Sequence, residues 1–543
     1  MTVQLYPDFF NDVFGPIMQP GSSSHTAAPC RLGFMANCLL GERPAQVQVL
    51  LDVDSSFAGT FGLMAEDSAM LAGAMGLMPD DKRLYNARTM AQELGISHAF
   101  GFTEMKESTH INAVKFVLTG KGGKVATLVG DSTGGGMIET KVVNGYPLRV
   151  RGDTYVVLLF DPQATVAPAQ VDRLASGFPA LVEVGSSATP SKGTLHYLKV
   201  ADPPDLGAVR AMFPDHQVEL LAPVLAVVTR PGHKPQLFDT MTRWREIAEE
   251  QGVPLWEVAV SYEMHASGWP REEVIAYMRM IERKMYRQTH AVYEETLDVP
   301  VSPFRPNMAL GWAGHMRSAC RLTDDTTANV IRWAYGAGAG IPGVETVAGP
   351  MGSGGGYVHA GLWAVKEAKG FSDDDLLRGL FVAGGVGVIA FTRTEPTGER
   401  IGCSGECGIC GAMTAAAIAE MAGGTPEQVE NAGSLSLQSA VGIPCDPIPG
   451  GLGQPCRSRI ITATCMAPIF ADLALSGRQA VLPMHEAIDV ANDVGRRLPS
   501  ELLCTSLGGS AAAPTARKQA AAYRAWYEQT EKDCTMRPPG NLI

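Results

Sequence analysis

The apolar positions of VQVLLDVD (47–54) predict a strand, and EDSAMLAGAMG (66–76) shifts to helical spacing with small residues along one face. KVATLVGDSTGGGMIETKVVNGYPLRVRG (124–152) predicts strand, glycine loop, strand, an Asn144–Gly145 turn and a further strand. Residues 1–152 therefore form an α/β unit. A second unit opens with TYVVLLFDP (154–162). It continues through a helix-like 167–177, LVEVGSS, LHYLKVAD, a helix near 205–213 and VLAVVTR. That β-α-β-β-α-β order is ferredoxin-like and fills 153–229. RPGHKPQ (230–236) is a linker.

From Phe238 onward the pattern is helical. FDTMTRWREIAEEQG stops at Gly252, and 270–295 is a long amphipathic helix started by Pro270. The Ala/Gly-rich stretches 361–390, 411–422, 427–441 and 459–476 predict helices buried on most faces. The fold class is thus multi-domain α+β, with a mostly helical region over 237–543.

The chain has 543 residues, too many for one core, and 45% apolar against 18% charged residues is ordinary for a globular protein. A net charge of −12 argues against a nucleic-acid surface and leaves room for a local basic pocket that takes a small anion. The N-terminus lacks the basic and apolar regions of a secretory signal. GLFVAGGVGVIAFT (379–392) is too short and glycine-rich to span a membrane. These readings predict a cytoplasmic protein without membrane or nucleic-acid partners. In that compartment the eleven cysteines, eight of them after residue 400, are expected as free thiols, metal ligands or redox groups.

GCSGECGICG (402–411) sets Cys403, Cys407 and Cys410 in a C-x₃-C-x₂-C array. The array invites a radical-SAM reading, but no strand–helix repeats follow it. GICGAMTAAAIAEM runs directly into a helix, so Cys407 and Cys410 read as packing residues. Cys445 and Cys456 bracket a Pro/Gly loop, GIPCDPIPGGLGQPC, behind a helix opened by the Thr425–Gln428 capping box. Proline-stiffened loops hold thiolates in fixed directions.

Gly402-Cys403, Glu406, Cys445-Asp446-Pro447 and Pro455-Cys456 together resemble the catalytic domain of iron–sulfur-dependent L-serine dehydratases. Cys403, Cys445 and Cys456 stand 42 and then 11 positions apart, the family's spacing for three ligands of a four-iron, four-sulfur cluster. PGSSSHTAAPCR (20–31), DSTGGGMIETKVVNGYPL and TSLGG (505–509) are similar to further family segments. By that resemblance 1–152 is the family's beta-like domain, 153–229 an ACT-like domain and 237–543 the iron–sulfur catalytic domain, with small and large subunits fused in one chain. A homodimer acting on a small carboxylate substrate is implied.

Three thiolates leave one iron open as a Lewis acid for a substrate hydroxyl. The implied reaction is loss of water from L-serine or a related β-hydroxy acid. Serine would give pyruvate and ammonia. PLP is not expected, since Ser191-Lys192-Gly193 lies in the regulatory piece. His25 is the leading catalytic residue, as base or carboxylate ligand, with Ser24 and Asp67. Ser22, Ser23 and Thr26 could receive a carboxylate; the other reading of this stretch is a Ser-rich helix cap with a surface histidine. GPMGSGGGYVHA (349–360) adds Pro350, Gly352, Ser353 and His359 as substrate-binding candidates.

Three departures from the family bear on the substrate. Met64 stands where a histidine is usual, and Met351-Gly352 replaces a polar pair. The third is Cys534, nine residues from the end, in the place of a terminal cysteine that can become a fourth ligand. Other reactions on the same scaffold therefore stay open, namely C–S cleavage (desulfidase), hydration or isomerisation of another β-substituted acid. So does a non-catalytic iron–sulfur amino-acid sensor.

Overall fold

The computed structural model describes residues 6–62, 64–297, 304, 308–451 and 453–533. Its N-terminal half carries the sheets and its C-terminal half is mostly helical. Helix α1 (Ala28–Leu40), strand β1 (Pro44–Asp52), helix α2 (Glu66–Ala74) and strands β2 (Ser97–Thr103), β3 (Ala113–Gly120), β4 (Val125–Gly134), β5 (Met137–Val143) and β6 (Tyr146–Pro147) build the first unit. Its six strands run in the order β2-β1-β3-β4-β5-β6, with β1 and β2 parallel and the remaining pairs antiparallel. Asn144 and Gly145 turn the chain at positive φ, as an Asn-Gly hairpin requires. Helices α1 and α2 cross so closely that a Cβ at Gly73 would stand 2.0 Å from the Cys30 carbonyl oxygen. Only glycine permits that approach.

The second unit follows as β7 (Tyr155–Asp161), α3 (Pro168–Ser176), β8 (Leu181–Thr189), β9 (Gly193–Val200), α4 (Leu206–Met212) and β10 (Gln217–Leu221), all antiparallel in the order β10-β7-β9-β8. Its period-two pattern serves two cores. Val156, Leu158, Phe160 and Leu195 face the core of the first unit, while Val157, Leu159, Leu198 and Val218 pack with Val171 and Val209 of its own two helices. The last strand is QVELL, not VLAVVTR. The latter instead seams the units: Val224 and Leu225 donate to the Gly152 carbonyl, Val227 to Asn11 Oδ1 and Thr229 to the Asp153 carbonyl. Its apolar side chains are buried without a ladder partner, so hydrophobicity alone misassigned it.

The helical half includes α5 (Arg271–Glu294), α6 (Gly354–Lys369), α7 (Asp373–Arg393), α8 (Cys407–Met421), α9 (Pro426–Gln438), α10 (Cys456–Leu475) and α11 (Pro514–Asp533). Gly370, at φ +72, separates α6 from α7. Helix α8 is buried along nearly its whole length, and its Gly/Ala-rich sequence lets α7, α9 and α10 close around it. Two corrections concern length and exposure. The helix containing 379–392 has 21 residues, so α7 and α10 are long and apolar enough to cross a membrane. In α7, 78% of the apolar window is instead buried inside the protein. Helix α10 keeps one face outward, with Ile469 and Leu473 exposed.

The N-terminal segment belongs to the helical core. Phe9, Phe10, Val13 and Phe14 are buried in the same cluster as Trp244, Tyr262 and Phe381. Asp8 starts their helical turn by accepting from the amides of Phe10 and Asn11. Ile17–Met18 then pairs antiparallel with Thr346–Val347. Residues 8–18 thus lock onto the helical part of the chain.

Candidate active site

The Ser-rich segment is a tight helical turn, Ser23–Ala27, directly preceding α1. Ser22 caps it by accepting from the His25 amide, and Thr26 Oγ1 donates to the Met64 carbonyl at 2.6 Å. His25 is fully buried, which removes the surface-histidine reading. Its Nδ1 lies 3.1 Å from Glu399 Oε1 and 2.9 Å from Ser24 Oγ. Its Nε2 lies 3.0 Å from Ser56 Oγ.

Ser24 Oγ donates to Glu399 Oε1 at 2.6 Å. Ser56 Oγ lies 3.0 Å from both His25 Nε2 and the Cys504 carbonyl. Glu399 is the carboxylate that faces the ring. Burial alone would raise that carboxyl, but the bonds from His25 and Ser24 outweigh it and bring the carboxyl down to about 2.

Five thiols lie beside this pair. Cys403, Cys445 and Cys456 are buried together, with the Cys456 thiol the donor toward both Cys403 and Cys445. Cys407 Sγ is 3.1 Å from Cys403 Sγ, and the Cys504 thiol bonds that of Cys445. Bonds from Cys407 and Cys456 hold the Cys403 thiol well below its ordinary range. Cys403 sits on a short turn after Gly402, its amide donating to the Ile443 carbonyl. Cys456 begins α10. Cys445 bridges the 502–504 segment, its amide donating to the Leu502 carbonyl and its carbonyl accepting from the Cys504 amide. Cys504 sits at φ +61, a left-handed conformation unusual for a residue with a side chain. Arg459 ties the Pro444 carbonyl to Asp446, and Asp446 accepts from the Ser510 amide just after the TSLGG turn.

Glu406 completes the neighbourhood. Burial, then the charges of Glu399 and Cys403, push its carboxyl well above the usual range. Among the described residues no three His, Cys, Asp or Glu groups surround a point suited to a single metal ion. The wall on offer is all sulfur, the donor set of a polynuclear iron–sulfur centre rather than of a hard cation.

The remaining candidates divide. Ser23 Oγ donates to the Pro350 carbonyl, and a Cβ at Gly352 would stand 2.3 Å from the Gly21 carbonyl oxygen, so the 349–353 loop lies directly on the Ser-rich turn. Cys410 Sγ donates to Gly349 O, and Gln288 to Ser353 O, which fix that loop from behind. Ser22, Ser23 and Thr26 therefore use their hydroxyls to hold the turn. Asp67 pairs with Arg88 at 2.7 Å and accepts from Tyr527 of α11. His359 sits in α6 against Trp363, with Glu282 3.3 Å from its Nε2, in an aromatic cluster with His290. Cys534 lies outside the described residues. Sequence reasoning missed Glu399, Ser56, Cys407 and Cys504; the GER run before Cys403 and the Cys-Thr-Ser-Leu-Gly-Gly run were visible, but only the fold brings them together.

The serine dehydratase alpha chain family model matches residues 250–511. The probable L-serine dehydratase alpha chain of Bacillus subtilis is 29% identical, over 52% of this chain and 94% of that protein. The L-serine dehydratase beta chain of Peptoniphilus asaccharolyticus is 32% identical, over 31% of this chain and 74% of that protein. This chain belongs to the L-serine dehydratase family. Similarity to both an alpha and a beta chain fits a member with the two fused. L-serine dehydratase of Mycobacterium tuberculosis is likewise similar, 33% identical over 41% of this chain and 46% of that protein. Membership makes the chain a lyase of the serine dehydratase type.

Proposed function

We propose that this lyase removes water from L-serine to give pyruvate and ammonia, with a four-iron, four-sulfur cluster held by Cys403, Cys445 and Cys456. One observation carries the reading: the buried His25–Glu399 ion pair reaches the thiol group through Ser56 and the Cys504 carbonyl. Residues from both halves of the chain thus converge on one place. The all-sulfur donor set and its burial fit the cluster. When bound, the cluster supplies a Lewis acid toward the substrate hydroxyl.

The chain's own residues do the rest. Ser24 and Glu399 hold the fully buried ring at Nδ1, and the reaction starts with His25 protonated at Nε2. His25 gives that proton to the departing hydroxyl and recovers one from the substrate's α-carbon, beginning and ending as imidazolium. Glu399 keeps the charge balanced throughout. The released enamine hydrolyses to pyruvate and ammonia. Anaerobic reconstitution with iron and sulfide, followed by assay of pyruvate and ammonia from L-serine, tests the proposal. Full iron loading without either product would refute it.

Met64 favours a second reading. Its side chain is buried, and its carbonyl accepts from the Thr26 hydroxyl, next to His25 in the chain. A β-thio acid, releasing sulfide, would suit an apolar residue there, and sulfide detection separates the two reactions.

A further inference from the structure

A second cleft, of about 390 Å³, opens where the three parts of the chain meet. Asp12 reaches it from the N-terminal turn, Thr133 and Arg151 from the first unit, and Thr392, Glu395 and Thr397 from the end of α7 and the turn after it. The volume is that of a small-molecule pocket. Arg151 is half-buried; among the described residues no hydrogen bond from its guanidinium is found, and its charge acts on Asp12. Asp12 faces it, and its carboxylate accepts only from the Asp8 amide. Glu395 is already paired with Arg400. The cleft therefore offers one cation with open hydrogen-bond donors facing one buried acid, with threonine hydroxyls around them.

We propose that this cleft binds a compact hydroxy or amino acid, its carboxylate on Arg151 and its neighbouring hydroxyl or ammonium on Asp12. A planar guanidinium takes a carboxylate through two parallel bonds, and the small acid beside it selects a donor on the next carbon. The site is separate from the thiol group, and the proposal does not depend on the dehydratase reading. Its position gives it a consequence. Thr397 caps the turn that carries Glu399, and the Gly134 backbone sits directly on Thr397, where a Cβ would stand 2.3 Å from Thr397 Cγ2. A ligand between Arg151 and Thr397 fastens the hairpin of the first unit to the segment that holds the His25 counter-ion.

The test is calorimetric titration of the full-length chain with L-lactate and glycine, using acetate and methylamine as controls. L-lactate or glycine binds, while the controls, each lacking one of the two groups, bind at least about tenfold more weakly. Arg151→Met weakens the binding by about tenfold or more, and Cys456→Ser, which disables the thiol site, leaves it intact. Thr133→Met fills the cleft without touching a charge and gives the same loss; it decides the matter if Arg151→Met fails to fold. Unchanged binding in both cleft variants overturns the proposal. So does loss of binding in Cys456→Ser, or no binding of either acid at millimolar concentration.

Discussion

Two buried histidines, His25 and His359, each meet a carboxylate, and their wider surroundings differ. His25 faces Glu399, itself buried, and two serine hydroxyls, with Phe57 edge-on at 5.1 Å. His359 faces Glu282, which is partly exposed, and sits among rings. Tyr286, His290 and Trp333 stack at 3.9 and 3.8 Å, and His359 lies on Trp363. Burial and the adjacent His359 push His290 down to about 3, so that side chain stays neutral. Burial of the histidine and the presence of a carboxylate do not separate them; burial of the partner carboxylate and the stacked rings do.

The comparison predicts a ladder of effects. The largest is at the sulfur wall: Cys445→Ser loses the brown absorbance and bound iron of the reconstituted protein and lowers activity by ~10³-fold or more. Cys410→Ala, whose thiol only supports the Gly349 carbonyl, keeps both and costs about 1 kcal/mol in urea unfolding. Retained iron in the first variant, or lost iron in the second, would reverse the assignment.

Next comes the ion pair. His25→Ala leaves Glu399 buried without its cation and lowers kcat/KM by ~10²–10⁴-fold, with a stability loss of about 3–5 kcal/mol. Glu399→Gln removes the charge and keeps the shape, so its kcat falls more than its stability.

The third effect lies in the aromatic cluster. The folded-state value of His290 is below its unfolded value of 6.5, so the stability this residue contributes is complete above pH 6.5 and declines as pH falls toward 3. His290→Phe flattens that acid limb of the unfolding curve and leaves KM for L-serine unchanged. A changed KM would draw the cluster into the active site. The smallest effect is one of preference: Met64→His shifts the kcat/KM ratio between a β-hydroxy and a β-thio acid by about tenfold toward the hydroxy acid, read from paired pyruvate and sulfide assays.

Period-two and helical patterns located most elements, because helices such as α5 bury one continuous face and β7, buried on both, reads as an unbroken apolar run. VLAVVTR defeated that logic, since a linker buried between two units looks like a strand in hydrophobicity alone. Of the site, spacing pointed to Cys403, Cys445 and Cys456, which the fold brings into contact. It dismissed Cys407, because a cysteine at the start of an Ala-rich helix reads as packing until its neighbour across the turn is known. Glu399 and Ser56 were invisible for a different reason. Each is an ordinary polar residue whose meaning lies in a partner hundreds of positions away, and no local period records such a pairing.

The burial of Phe9, Phe10, Val13 and Phe14 among helices from the far half of the chain has a consequence during synthesis. These residues are made well before part of the surface that receives them, including Phe381. Until then the aromatic-rich segment has no complete partner surface. Severing the 230–236 linker in the finished protein would leave the two fragments clasped, since the leading segment is threaded into its counterpart's interior. A fused chain therefore ensures that this clasp closes on its own second half, at an effective concentration no separate subunit could match.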